Sequence, residues 1–153
     1  MGAIATVALF VALIAFVIAF PVREPDVSGL CTIPPSQPHV ELRNVTASRQ
    51  SMQAEIFVVN PSDENVTTQD GPIGIGSYSV ARNGKLAPGP SAGYGPVEQF
   101  SSVRVAPHDA VRLDTGVLRP TLPNGSFAPG RYVLLGKIYD ALGLCGVARV
   151  DVV

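Results

Sequence analysis

The chain has 153 residues, 46% of them hydrophobic and 15% charged, with 11 basic against 12 acidic side chains and a formal net charge of -1. That length suits one domain, and a near-neutral balance with no basic run supplies no electrostatic footprint for DNA or RNA, so nucleic acid is not an expected partner. Two Cys and two His leave little material for metal or redox chemistry, and no cofactor is expected.

The first element is apolar. From Ala3 to Phe20 only Thr6 is polar and nothing is charged; as a helix the run would be about 27 Å long, close to the hydrocarbon thickness of a bilayer. It predicts one N-terminal transmembrane helix over 1–20, with Leu9, Phe10, Leu13 and Phe16 meeting lipid or a protein assembly. A cleaved signal peptide is the competing reading, with Ala19 at the peptidase site, although the charged leading region is missing and the run exceeds the usual length of such a segment. Arg23, the flanking cation, favours a cytoplasmic domain by the positive-inside rule. Three Asn-x-Ser/Thr triplets at Asn44, Asn65 and Asn124 favour the opposite side as candidate glycosylation sites, while Asn60-Pro61-Ser62 is excluded by its proline. The two cysteines point the same way. Cys31 follows the apolar run and Cys145 lies near the end, so a disulfide would join the two ends of one extracytoplasmic domain.

Residues 21–38 hold Pro21, Pro25, Pro34, Pro35 and Pro38, which discourage helix and predict an extended linker, a stalk for the domain. Over 39–153 no segment repeats apolar residues at helical spacing, whereas short alternating runs separated by Gly, Pro, Asn and Asp recur. The expectation is an all-β, immunoglobulin-like two-sheet antiparallel sandwich, with strands near 39–46, 53–60, 75–82, 100–106, 110–114, 131–139 and 146–153.

Period-2 geometry puts Tyr132, Leu134 and Ile138 on one face, with Val133, Leu135, Lys137 and Tyr139 on the other. Gly136 between them suggests a bulge or tight bend. Asp140 to Gly143 supplies the turn to a last strand whose Ala148, Val150 and Val152 alternate with Arg149 and Asp151. Pro129-Gly130 is a further turn, and Asn83-Gly84 predicts a type I′ hairpin. Residues 86–99, rich in Pro and Gly, show no strand pattern and are expected as a long loop. Tyr94, Pro96 and Val97 in that loop form a candidate surface for an unknown protein partner.

Candidate chemistry is sparse. His108 precedes Asp109 in an expected turn and His39 opens the first strand, with no nucleophile elbow beside either. The Cys and His positions lack zinc-ligand spacing. Gly71-Pro-Ile-Gly-Ile-Gly76 lacks the Gly-Lys-Ser/Thr ending of a phosphate loop. Asp63-Glu64 belongs to a turn and gives no acid pair. The expectation is a protein that is not an enzyme.

The run Pro38-His-Val-Glu-Leu-Arg-Asn-Val-Thr46, followed by Ala54-Glu-Ile-Phe-Val-Val-Asn-Pro-Ser62, Tyr78 with Asn83-Gly84-Lys85, and Val105-Ala-Pro107, resembles the type 2 late embryogenesis abundant proteins, also called WHy-domain proteins. The resemblance spans roughly 38–139 and implies a seven-stranded, non-catalytic sandwich, often membrane-anchored and linked to water-stress protection. The chain departs from that family in Cys31, Cys145, its 86–99 segment and its low charge. In outline it also resembles archaeal type IV pilins, which pair an uncharged N-terminal helix with a glycosylated outer β-domain. The functions expected are therefore a membrane-anchored extracytoplasmic interaction, protective or structural module or, alternatively, a pilin-like filament subunit or an accessory subunit of a membrane complex.

Overall fold

The computed structural model describes residues 23–69, 73–94, 102–121 and 125–153. The apolar run with Leu9, Phe10, Leu13 and Phe16, the loop residues Pro96 and Val97, and Asn124 lie outside them. Among the described residues no helix is long and apolar enough to cross a membrane. The described residues form nine strands: β1 (His39–Ala47), β2 (Met52–Asn60), β3 (Val66–Gln69), β4 (Ile73–Val80), β5 (Leu86–Tyr94), β6 (Ser102–Val105), β7 (Asp109–Leu118), β8 (Gly130–Ile138) and β9 (Cys145–Val152). They make a three-stranded sheet β1-β2-β7, a four-stranded sheet β5-β4-β8-β9 and a two-stranded ladder β3-β6, with every pairing antiparallel.

The two larger sheets pack face to face as a β-sandwich. Met52 and Ala54 of β2 and Leu118 of β7 meet Ile75, Leu134 and Val152 of the other sheet in one cluster. Val40, Ile56 and Val58 join Ile138 and Leu144 in a second. In β2, even-numbered residues from Met52 to Asn60 are buried and odd-numbered ones are more open, the period-2 signature of a half-buried strand. Ala148, Val150 and Val152 likewise face inward, while Arg149 and Asp151 are exposed.

The sequence reading is corrected at several points. The segment expected as a loop contains β5, the edge strand of the four-stranded sheet. An edge position tolerates Pro88 and Pro90, whose missing donors would break a central ladder. β3 is a further strand, too short to show alternation. β7 runs on to Leu118 because a bulge opposite Ile56 and Phe57 shifts the inward parity from Val111 and Leu113 to Gly116 and Leu118; the broken alternation hides its second half. The β4–β5 hairpin is not type I′. Gly84 donates to the Ala81 carbonyl at 2.9 Å and has φ 80°, while Asn83 lacks a positive φ. This is a type I turn closed by a left-handed glycine.

Gly136 marks no bulge either. The ladders on both sides of β8 run through it without a register shift, and a β-carbon there would lie 2.7 Å from the Leu42 Cδ2 and 3.3 Å from the Val40 Cγ1. Its missing side chain lets β1 approach. The final correction concerns the stalk, which from Arg23 onward is packed on the sandwich. The Arg23 amide donates to the Arg82 carbonyl at 3.4 Å, Pro25 is buried, and Ile33 joins the second core cluster.

Candidate functional site

The outer face of the four-stranded sheet divides into a covered half and an open half. Residues 23–31 act as a strap over the covered half. The Glu24 carboxylate meets both Arg131 and Arg149 at 3.5 Å, and Arg131 also meets Asp151 at 3.7 Å. Asp26 accepts from the Ser28 hydroxyl at 2.6 Å and the Ser28 amide at 3.0 Å, bonds that hold its carboxyl below the usual range. Cys31 then forms a disulfide with Cys145, with Cα atoms 5.8 Å apart. On the same half of the face is Val133, paired with Arg149. It is fully buried although its parity points away from the core.

The open half is a trough of about 410 Å³ lined by Gly74, Gly76, Tyr78, Ser91, Lys137 and Tyr139 among others. Gly74 and Lys137 are cross-strand partners, as are Gly76 and Leu135, so the floor is backbone and the sides are long side chains. The Tyr139 ring lies over Gly74, where a β-carbon would come within 2.8 Å of its Cε2. Lys137 Nζ stands 5.2 Å from the centre of that ring, within cation–π range. Tyr139 remains 59% exposed. Such an arrangement offers an aromatic surface, a hydroxyl and an ammonium group to a ligand.

No family model matches the chain, and no curated protein matches it. Among solved structures it is similar to a transglutaminase from red sea bream, at TM-score 0.48 and 11% identity over 78% of this chain and 17% of that one. It is also similar to a CARDB domain from Pyrococcus furiosus in complex with di-metal ions, at TM-score 0.37 and 15% identity over 78% and 97% of the two chains. A beta-glucosidase from Listeria innocua in complex with gluconolactone gives TM-score 0.39 and 13% identity over 76% and 16%. The chain therefore spans under a fifth of the length of the transglutaminase and of the glucosidase.

The other sequence-selected residues are spread over the molecule. Tyr94 ends β5, its backbone paired with Ile73. Asn44 is exposed in β1 at φ 49°, inside the register shift between Arg43 and Thr46, and its amide donates to Glu55 Oε2 at 2.6 Å. Asn65 is exposed just before β3 and accepts from Arg104 Nε at 3.1 Å. His108 sits in the turn before β7 at φ 56°; its partner is Asp63, at 2.8 Å, and both are well exposed. Asp109, its neighbour in sequence, instead bonds the Ala110 amide. His39 Nδ1 lies 2.7 Å from the Gln37 carbonyl.

Asn60, passed over in the sequence because Pro61 spoils its triplet, is the most connected polar side chain among the described residues. It is fully buried, its amide nitrogen donates to the carbonyls of Glu64, Val105 and Ala106, and its oxygen accepts from the Ser62 amide and hydroxyl. The Asn-Pro-Ser sequence is thus a clip joining the end of β2 to β6. A second clip pairs the buried Thr68 with Asp140, whose other oxygen accepts from the amides of Leu142 and Gly143. Among the described residues no group of three His, Cys, Asp or Glu side chains converges as a metal site. The trough was legible only in part. Lys137 and Tyr139 fall on the outer face by period, but nothing local shows that Gly74 and Gly76 lie beside them.

Proposed function

We propose that the chain is a membrane-anchored, extracytoplasmic, immunoglobulin-like sandwich that serves as a non-catalytic interaction module. The observation that carries this reading is the Cys31–Cys145 disulfide. It fastens the segment directly after the apolar run to the far end of the domain, and such bonds persist in oxidising compartments. The immunoglobulin-like assignment is supported by the three-plus-four strand arrangement. It is further supported by Tyr132, near the start of β8, whose hydroxyl donates to the Ala128 carbonyl at 3.0 Å, as in a tyrosine corner. The non-catalytic reading is supported by the structural use of the polar groups best suited to chemistry. Asn60, Ser62 and Asp140 are committed to clips, and His108 and Asp63 stand in open solvent.

The test is the native full chain. It is expected in a carbonate-resistant membrane fraction, with an intact mass that includes residues 1–20, a disulfide-linked Cys31–Cys145 peptide on non-reducing mapping, and a domain digested by protease added outside the cell. Two free thiols in a soluble cytoplasmic chain would overturn the reading. Release by shear without detergent would favour the filament alternative.

A further inference from the structure

We propose that the β4–β5 hairpin is the face of the domain that rests on the bilayer, where Arg23, Arg82 and Lys85 dock on anionic lipid headgroups. This rests on the anchored reading above and adds an orientation and a ligand class to it.

The argument begins with where the chain enters the domain. Arg23 donates its amide to the Arg82 carbonyl at 3.4 Å, and Gly84 lies so close to the strap that a β-carbon there would be 3.1 Å from the Glu24 carbonyl oxygen. Among the described residues, the hairpin is thus the first part of the sandwich that the chain touches. Phe20, the last residue of the apolar run, is only three positions upstream, and three residues span at most about 10 Å. The hairpin must therefore lie at headgroup depth whenever that run spans the bilayer. From Glu24 onward the strap is tied to the domain, Glu24 by Arg131 and Arg149 and Cys31 by its bond to Cys145.

Charge selects the partner. Arg23, Arg82 and Lys85 are all exposed, and none forms a side-chain ion pair among the described residues. Of the neighbouring acids, Glu24 is paired with its two arginines, while Asp26, whose bonds from Ser28 keep it ionised, offsets one of the three charges. The remaining excess of about two cations within a Debye length of the surface is attracted to anionic lipid, by about fivefold in affinity per cation. The opposite end of the sheet gives a contrast. Because Ser79 pairs with Tyr132 and Ile73 with Ile138, the Asp140–Gly143 turn lies a full strand length away, about 25 Å.

The chain has no tryptophan, so Asn83→Trp and Leu142→Trp each create a single reporter in an exposed turn. Both full-length variants are reconstituted into vesicles of phosphatidylcholine with phosphatidylglycerol, and of phosphatidylcholine alone, containing lipid brominated near the headgroup end of its chains. Asn83→Trp is expected to be quenched and Leu142→Trp not, with stronger quenching in the anionic vesicles that weakens when Arg82→Ala and Lys85→Ala are added. Retention of the disulfide in every variant verifies the fold. Equal quenching of the two reporters in chains that float with the vesicles overturns the orientation while leaving the anchor intact. Quenching that ignores both lipid charge and the alanine changes overturns the headgroup contact. Chains that do not float overturn the anchor and this proposal together.

Discussion

The carbonyl of Val40 in β1 occupies the place where a β-carbon on Gly146 in β9 would stand. Gly146 is also the cross-strand partner of Gly136, so the two glycines form a flat patch on which β1 lies. Backbone cannot yield as a side chain does. Gly146→Ala is expected to destabilise the domain by about 3 kcal/mol or more, at the upper end for overpacking. Gly136→Ala should cost less, because the nearest obstacle is a methyl of Leu42 that can rotate. Gly29→Ala, with nothing within 4 Å of its β-carbon position, should change stability by under about 0.5 kcal/mol. Urea unfolding of the three variants gives the ranking.

The disulfide closes a loop with a sequence separation of 114, and chain entropy alone makes such a closure worth about 5 kcal/mol. Replacing Cys31 and Cys145 together by Ala should lower the unfolding midpoint accordingly. It should also speed amide hydrogen exchange at Arg23 and Leu30, since the strap then keeps only the Arg23–Arg82 hydrogen bond, the exposed Glu24 ion pairs and the Pro25 contact. Slow exchange at those amides in the variant would show that the strap is held without the bond.

Much of the fold was legible because β2 and the last half of β9 alternate cleanly, and β1 and β8 are apolar runs that end at recognisable turns. β5 was not, since Ala, Gly, Pro and Ser carry almost no hydrophobic contrast and the only inward signal, Ala92, is small. The second half of β7 was hidden by a parity change that only its partner strand reveals. The cysteine pairing was legible because two cysteines permit one internal bond. Gly146 and Asn60 were opaque for a common reason: their roles depend on atoms 45 to 106 positions away in sequence, beyond any local pattern. The trough is similar, built from two strands whose neighbourhood follows from topology alone.

Asn60 tests the clip. Its amide feeds two carbonyls of the β6 end and one of the 61–65 turn, all of which lose a donor in Asn60→Ala. A loss of about 3 kcal/mol is expected, the cost of stranding buried acceptors. Asn60→Asp keeps the shape and removes the donors, so it should be no better at neutral pH. Near-wild-type thermal stability in either variant would show that the loop closes without this side chain.

Both asparagines of the triplets among the described residues are exposed. Asn44 projects from a bulge and Asn65 precedes a short edge strand, and Thr46 and Thr67 are exposed with them. Passage through a eukaryotic secretory pathway is expected to add a glycan at each, removed stepwise by Asn44→Gln and Asn65→Gln and together by an amidase specific for N-glycans. Unchanged gel mobility after amidase treatment would reject this.

Tyr139 separates surface from core. Its ring is 59% exposed and rests on the backbone of Gly74, so Tyr139→Ala removes an aromatic face from the trough without opening the sandwich, and stability should move by no more than about 0.5 kcal/mol. Gly74→Ala acts on the same contact from beneath. A β-carbon 2.8 Å from the ring edge forces the tyrosine to lift, while alanine in place of glycine within a strand recovers about 0.5 kcal/mol of backbone entropy. The second variant should therefore be as stable as the parent yet show shifted Tyr139 ring resonances and a loss of the ring-current effect on the Lys137 side chain, read by NMR. A cost above about 2 kcal/mol for Tyr139→Ala would instead assign the ring to the core, and the trough would then be a packing feature with no surface to offer a ligand.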